Sequence, residues 1–192
     1  MVVTLEKSQS SDNCLTLTGI SWQKFEQIEI TFSDVEGVRF VYLDGELGFM
    51  ILGAKHEYYK RTISLLLEAY LRATNIRFYS GGSATLGDNN ITGRKEPDES
   101  YNLYSKKDVP DLVIEVIVTS GSINILEIYR RIGIPEVWFY EDGMLKVYSL
   151  IDQQYNKVNH SNLLPDLNLE ILTQYINYPD QYDAVTEFVN EL

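Results

Sequence analysis

The apolar residues of the chain recur at two spacings, one typical of helices and one typical of strands. Trp22, Phe25 and Ile28 follow Ser21 at three-residue spacing and predict a short helix with Ser21 as its N-cap. A helical pattern also covers residues 122–132, with Ser122 as its candidate N-cap, and its apolar stripe of Ile125, Ile128, Tyr129 and Ile132 is expected to face the sheet. The longest helix is predicted from an apolar face made of His56, Tyr59, Ile63, Leu66, Leu67 and Tyr70.

The strand-like segments are rich in β-branched and aromatic residues. Val38–Leu43 and Glu46–Ile51 flank the dipeptide Asp44-Gly45, which predicts a hairpin. Residues 112–118 form an uninterrupted apolar run apart from Glu115, and they predict a strand buried on both faces. Further strands are predicted at residues 76–80, 83–87, 98–104, 135–140 and 144–150, whereas residues 87–95 predict a loop. The turn Glu141-Asp142-Gly143 predicts a second hairpin, and residues 153–159 predict an edge strand.

Helices and groups of strands alternate along the chain, which is typical of an α/β fold. We therefore predict a mixed central sheet flanked by helices, in a single domain of 192 residues. Residues 1–13 are polar and serine-rich, and they are predicted to be flexible. Residues 169–192 predict one or two helices with a break near Pro179.

The charge of the chain limits the ways in which it can bind nucleic acid. Its formal net charge is −12 and its pI is about 4.5, which argues against broad binding through neutralised phosphates. A local basic patch is still compatible with this charge, although the same residues also fit solvated helix and loop faces. The patch would consist of Lys55, Lys60, Arg61, Lys106, Lys107, Arg130 and Arg131.

Two observations bear on the compartment. Cys14 is the one cysteine of the chain, which excludes an internal disulfide and fits a reducing environment. The first residues show no signal-peptide pattern, and the longest apolar runs are too short to span a bilayer. We therefore expect a cytoplasmic protein without a membrane segment.

The candidate chemistry centres on two carboxylates. Glu115 lies within the apolar strand, where a lone carboxylate is costly unless it is paired or binds a metal ion. Asp98 follows Pro97 at the start of the preceding predicted strand, so the two carboxylates can converge on Mg²⁺, with the carbonyl of Val116 as a third ligand. In the alternative, Glu115 pairs with a Lys or Arg and Asp98 caps a turn.

His56 lies in the first turn of the long predicted helix, on its apolar face. A single histidine there is commonly a hydrogen-bonded core or capping residue. The functional alternative places His56 at the rim of the metal site, where it contacts the scissile phosphate or positions water.

These residues resemble the Uma-type family of putative restriction endonucleases, within the PD-(D/E)XK nuclease superfamily. The resemblance implies a restriction-endonuclease-like core, with Asp98 and Glu115 as metal carboxylates and His56 as a further site residue. It rests on the order and spacing of Gly19-Ile20-Ser21-Trp22, Asp44-Gly45-Glu46-Leu47, His56-Glu57, Glu96-Pro97-Asp98, Pro110-Asp111-Leu112-Val113-Ile114-Glu115-Val116, and residues 129–138.

The chain departs from the pattern of this family at the expected lysine. The superfamily usually has a Lys two residues after the second carboxylate, where this chain has Ile117. Members of the family commonly place it on the following helix, at the position of Ile125. Lys95, Arg130 and Arg131 are alternative sources of a cation, and Ile125→Lys is expected to raise cleavage if the missing cation is the defect.

Two functions follow as expectations from the residues and the resemblance. The first is a Mg²⁺- or Mn²⁺-dependent DNA endonuclease that acts through a metal-activated water and forms a homodimer to cut two strands. The second is a catalytically weakened or inactive nuclease-fold protein that binds nucleic acid or protein. Asp98 and Glu115 favour the first function, whereas Ile117, Ile125 and the acidic charge favour the second.

Overall fold

The computed structural model describes residues 13–118 and 123–192. Its strands are β1 (Asn13–Leu17), β2 (Val38–Leu43), β3 (Glu46–Ile51), β4 (Phe78–Ser80), β5 (Gly93–Lys95), β6 (Glu99–Leu103), β7 (Leu112–Ile117), β8 (Glu136–Glu141), β9 (Met144–Ile151) and β10 (Gln154–Val158). Its helices are α1 (Trp22–Thr31), α2 (Ala54–Ala73), α3 (Ile125–Ile132), α4 (Leu169–Ile176) and α5 (Gln181–Asn190). Residues 1–12 of the segment predicted to be flexible lie outside the described residues, as does Ser122.

The described strands form two sheets. The larger sheet has the order β10-β9-β8-β7-β6-β4, in which β7 and β8 are parallel and the other neighbours are antiparallel. The smaller sheet is antiparallel and has the order β1-β3-β2-β5. The predicted mixed α/β architecture is confirmed, and the β2–β3 hairpin belongs to the smaller sheet.

The central strand β7 is covered on both faces, as its apolar sequence predicts. Leu112, Ile114 and Val116 pack into the main core with the apolar face of α2. Val113 points to the opposite face, where it packs with Tyr129 of α3. Because alternate residues of a strand share a face, Glu115 lies on the α3 side of the sheet.

Helix α3 connects the two sheets. It begins at Ile125, and the side chain of its N-cap Asn124 accepts a hydrogen bond from the Glu127 backbone N–H. Besides its contact with the larger sheet, α3 packs Ile128 into a second core with Val41 and Leu43 of the smaller sheet. The cation and the carboxylates described below therefore come from different sheets that α3 holds together.

The segment before β6 differs from its prediction. Residues 83–87 do not form a strand but contribute a single bridge between Leu86 and Lys95. The predicted loop at residues 87–95 ends in β5, which pairs with β2. Gly87 has a φ of 90°, and a Cβ atom at this position would lie 2.3 Å from the carbonyl oxygen of Gly93, so the return of the chain requires glycine.

Other sequence predictions are confirmed by the structure. Ser21 caps α1 by accepting a hydrogen bond from the Lys24 backbone N–H. The second hairpin is formed by β8 and β9, and β10 is an edge strand of the larger sheet. The break near Pro179 separates α4 from α5.

Glu136 at the start of β8 is a buried carboxylate whose partners among the described residues are uncharged hydrogen-bond donors. It accepts hydrogen bonds from Trp138 Nε1 at 2.6 Å, Ser149 Oγ at 3.1 Å, Ser161 Oγ at 2.6 Å and the Asn162 backbone N–H at 2.8 Å. The donors come from β8, β9 and the segment that leads to α4. Glu136 therefore fastens this segment to the sheet.

We predict that Glu136→Gln lowers the free energy of unfolding by about 3 kcal/mol, because the new amide N–H₂ faces donors in a buried site. Urea titration followed by circular dichroism measures the change. Glu141→Gln is the matched control at the other end of β8, where Glu141 pairs with the partly exposed Lys146, and it should cost under about 1 kcal/mol. Equal losses in the two variants would contradict the assigned role of Glu136.

Arg131 at the end of α3 is bound to the turn of the β2–β3 hairpin. Its guanidinium donates to both carboxylate oxygens of Asp44, at 2.7 and 2.6 Å. The hydrogen bonds from Arg131, with a further one from Thr92, lower the pKa of Asp44 to about 2. This pair is a second link between α3 and the smaller sheet.

We predict that Asp44→Asn lowers the free energy of unfolding at pH 7 by about 0.5–1 kcal/mol, since the pair is partly exposed. The folded-state pKa of Asp44 is depressed, so its stabilisation is complete above the ordinary pKa of 3.8 and is lost as the pH falls towards 2. Urea titrations at pH 7 and pH 3 should show a smaller difference from wild type at pH 3.

Asp152→Asn is a matched control for this experiment, because Asp152, like Asp44, is a turn residue with a φ of 48°. Asparagine tolerates that backbone conformation, so the control reports the effect of the substitution itself. A difference between wild type and Asp44→Asn that is the same at both pH values would rule out the ion pair as its cause.

Candidate active site

Asp98 lies immediately before β6, next to the middle of β7. The two strands are antiparallel neighbours, with Glu99 opposite Ile114. Asp98 Oδ2 accepts a hydrogen bond of 2.7 Å from the backbone N–H of Val116, the residue after Glu115. The predicted adjacency of the Asp98 strand and the Glu115 strand is thereby confirmed.

Glu115 is 2% exposed, and both of its carboxylate oxygens have a partner. Oε1 accepts a hydrogen bond from the hydroxyl of Tyr129 on α3. Oε2 lies 3.0 Å from the ammonium nitrogen of Lys95 on β5. The structure therefore contains the predicted alternative, in which Glu115 pairs with a lysine. It also contains the predicted adjacency of β6 and β7.

His56 in the first turn of α2 is also buried, and its Nε2 lies 3.0 Å from Asp98 Oδ2. Its Nδ1 faces Glu57 Oε1 at 3.5 Å. The structure thus places His56 directly against one of the two carboxylates, where it orients Asp98. A contact of His56 with phosphate stays a prediction.

Of the three alternative cations, the structure brings Lys95 to the carboxylates. Arg130 is held by Glu127, with hydrogen bonds of 2.7 and 2.8 Å. Arg131 is held by Asp44 and Glu127. Neither arginine is among the residues that line the cavity between Asp98 and Glu115.

The cavity beside the carboxylates has a volume of about 30 Å³ open to water-sized groups. This is enough for one or two atoms or ions of that size. Ile117 and Ile125, the two positions at which the resemblance leads us to expect a lysine, line this cavity. The polar groups that line it include His56, Lys95, Asp98 and Glu115.

The environment moves the pKa values of the two carboxyl groups in opposite directions. Burial would raise the pKa of Asp98, but the hydrogen bond from His56, the charge of Lys95 and the Val116 N–H together lower it. Burial raises the pKa of Glu115 to about 7, and the charge of Asp98 adds to this, although Lys95 and Tyr129 oppose it. Asp98 is therefore the more acidic carboxyl group of the pair.

The chemistry of these side chains fits a single hard cation. Mg²⁺ and Mn²⁺ prefer oxygen ligands, and Mg²⁺ is commonly bound by one or two carboxylates, with water and substrate phosphate as the other ligands. A carboxylate has about four lone-pair positions, and the hydrogen bonds named above leave capacity on Asp98 and Glu115. Within residues 13–118 and 123–192, no group of three or more His, Cys, Asp and Glu side chains is arranged to bind a metal.

The mixed sheet, with helices on its two faces and two acidic residues where β6 meets β7, is a restriction-endonuclease-like fold. A family model named Uma2, described as "Putative restriction endonuclease", matches residues 22–177. The chain belongs to this family, which confirms the resemblance read from the sequence. No curated protein matches the chain. In the described part of the chain, no helix has the length and apolar character needed to cross a membrane.

Tyr129 is the site residue that sequence reasoning did not select. It is fully buried, and burial together with the charge of Glu115 raises its pKa well above the ordinary value, so that it remains a neutral hydrogen-bond donor. The helical stripe that contains Ile125 also contains Tyr129, which turns towards Glu115. A tyrosine on the same helix face as a suspected site position was the available signal.

We predict that Tyr129→Phe lowers the free energy of unfolding by about 1.5–3 kcal/mol at pH 8. At this pH Glu115, with a pKa of about 7, is ionised, and the substitution removes the hydroxyl that donates a hydrogen bond to its carboxylate. Chemical denaturation measures the loss. Tyr148→Phe, which removes a hydroxyl from a half-buried ring packed against Phe139, should change the stability by under about 0.5 kcal/mol. A Tyr129→Phe variant as stable as this control would show that the hydrogen bond contributes little.

Proposed function

We propose that this protein is a metal-dependent endonuclease that hydrolyses phosphodiester bonds of DNA. The observation that carries the proposal is the convergence on one cavity of two buried carboxylates, Glu115 in β7 and Asp98 immediately before the neighbouring strand β6. Membership of a family described as putative restriction endonucleases supports nuclease activity and DNA as the substrate.

In the proposed site, Asp98 and Glu115 would hold Mg²⁺ or Mn²⁺, and the main-chain carbonyl of Val116 is the proposed third ligand. The bound cation would polarise the phosphodiester and lower the pKa of the attacking water. His56 fixes the orientation of Asp98 through the 3.0 Å contact, and Tyr129 fixes Glu115. Both carboxylates are thus held in place by the fold rather than by the ion.

The acidic charge of the protein favours DNA binding that depends on a bound divalent cation. A net charge of −12 repels the DNA backbone, and Asp98 and Glu115 add negative charge at the point of attack. A divalent ion reverses the sign of this region and attracts a phosphate oxygen. We therefore propose that productive DNA binding depends on the metal. A homodimer, which would cut both strands, and a cytoplasmic location belong to the same proposal.

The second candidate function is a nuclease-fold protein without cleavage that binds nucleic acid or protein. Ile117 and Ile125 favour it, because both side chains line the cavity and neither supplies a cation there. In this case Lys95 would serve only to neutralise the buried Glu115.

We predict that the wild-type protein nicks supercoiled DNA with Mg²⁺ or Mn²⁺, that EDTA abolishes the reaction, and that Asp98→Ala and Glu115→Gln reduce the rate at least about 100-fold. Gel analysis of supercoiled and linear substrates measures cleavage. The matched control is Glu141→Gln, which removes a carboxylate from the far end of β8 and should cleave like wild type. Equal product from wild type and Asp98→Ala would indicate contamination and would favour the second function.

A further inference from the structure

We propose that Lys95 is a catalytic residue of this site, whose ammonium group contacts the scissile phosphate and stabilises the charge that develops on it. The inference rests on the proposed nuclease function and supplies the cation that Ile117 and Ile125 cannot provide. It assigns this role to β5, a strand of the smaller sheet, rather than to the central strand β7 or to α3.

The position of the ammonium group is the first argument. Lys95, Ile117 and Ile125 line the same cavity, together with Asp98 and Glu115. A lysine on β7 or α3 would therefore extend into the space that Lys95 reaches from β5. The same chemical group arrives at the carboxylates from a different part of the fold.

The main chain at Lys95 is held on both of its edges, which fixes the origin of the side chain. On one edge, β5 pairs with β2, with Lys95 opposite Val41. On the other edge, Lys95 and Leu86 exchange two backbone hydrogen bonds of 3.0 and 2.8 Å. A cation on a fixed backbone is preorganised for a developing negative charge and needs little rearrangement during the reaction.

The hydrogen bonds of the ammonium group are the third argument. Lys95 is 2% exposed, and its Nζ lies 3.0 Å from Glu115 Oε2 and 3.0 Å from the backbone carbonyl oxygen of Glu96. These contacts use two of the three N–H groups of an ammonium ion. When a divalent cation compensates the two carboxylates, Lys95 can direct an N–H group to a phosphate oxygen.

A purely stabilising role gives a weaker account of this lysine. Burying a Lys–Glu pair costs desolvation that its attraction often fails to recover, so such pairs add little to stability compared with apolar side chains. The neighbouring positions 117 and 125 are already isoleucine, and an apolar pair at 95 and 115 would extend that surface. A catalytic role explains why a cation is buried next to two carboxylates despite the free-energy cost of its desolvation.

The test compares wild type, Asp98→Ala, Lys95→Met and Lys146→Met. Lys146 also forms a lysine–glutamate pair, with Glu141, but lies outside the cavity, so Lys146→Met controls for the loss of such a pair. We expect Lys95→Met to lower kcat about 100–1000-fold with KM changed far less, as for the loss of one transition-state donor. Lys146→Met should cleave like wild type.

A second measurement separates chemistry from architecture. Titration calorimetry with Mn²⁺ in the absence of DNA should give Lys95→Met an affinity at least equal to that of wild type, because the variant keeps both carboxylates and loses a competing cation. Adding Ile125→Lys to Lys95→Met should recover at least tenfold in cleavage, since it returns an ammonium group to the cavity. If this double variant does not fold, Ile117→Lys replaces it.

Each outcome decides the inference. Lost cleavage with retained Mn²⁺ binding and rescue by a relocated lysine supports it. Cleavage by Lys95→Met within threefold of wild type overturns it and leaves the nuclease function intact. Joint loss of cleavage and Mn²⁺ binding also overturns it, because Lys95 then only shapes the carboxylate site. If wild type and Asp98→Ala yield the same product, the nuclease function itself fails, and the role of Lys95 fails with it.

Discussion

The burial of Glu115 is the constraint on which the candidate site depends. A carboxylate in the middle of a strand that is covered on both faces loses its water, and the protein must supply partners in its place. Tyr129 provides a hydrogen bond from α3, and Lys95 provides a charge from the smaller sheet. The loop that returns through Gly87 and the packing of α3 between the sheets both serve to bring these partners to Glu115.

Much of the fold could be predicted because its signals are local. The Asp44-Gly45 and Asp142-Gly143 turns, the apolar stripe of α2 and the uninterrupted apolar run of β7 each fit within one element. The division into two sheets could not be predicted, since nothing in a hairpin sequence states which sheet it joins. The strand β5 was missed because its three residues follow a polar loop, although Gly87, Asp88 and Gly93 mark a tight return of the chain.

The candidate site divides in the same way. The adjacency of Asp98 and Glu115 followed from strand order, and the turn of α3 towards the sheet followed from the helical stripe through Ile125 and Tyr129. The choice among Lys95, Arg130 and Arg131 required the structure, because it depends on which of these side chains form ion pairs away from the Asp98–Glu115 cavity. Glu127 and Asp44 hold the two arginines, and only the folded chain shows those pairs.

The residues of the candidate site lie on elements that are far apart in sequence, and this affects the stage of folding at which the site can form. Its side chains come from the start of α2, the end of β5, the residue before β6, the middle of β7 and α3, and Lys95 reaches the carboxylates only when the two sheets close on that helix. Contacts between elements so far apart in sequence carry the entropy of closing long loops, so they form late in folding. A partly folded chain would hold Lys95 apart from Asp98 and Glu115, so we expect the candidate site to be inactive until both sheets have formed.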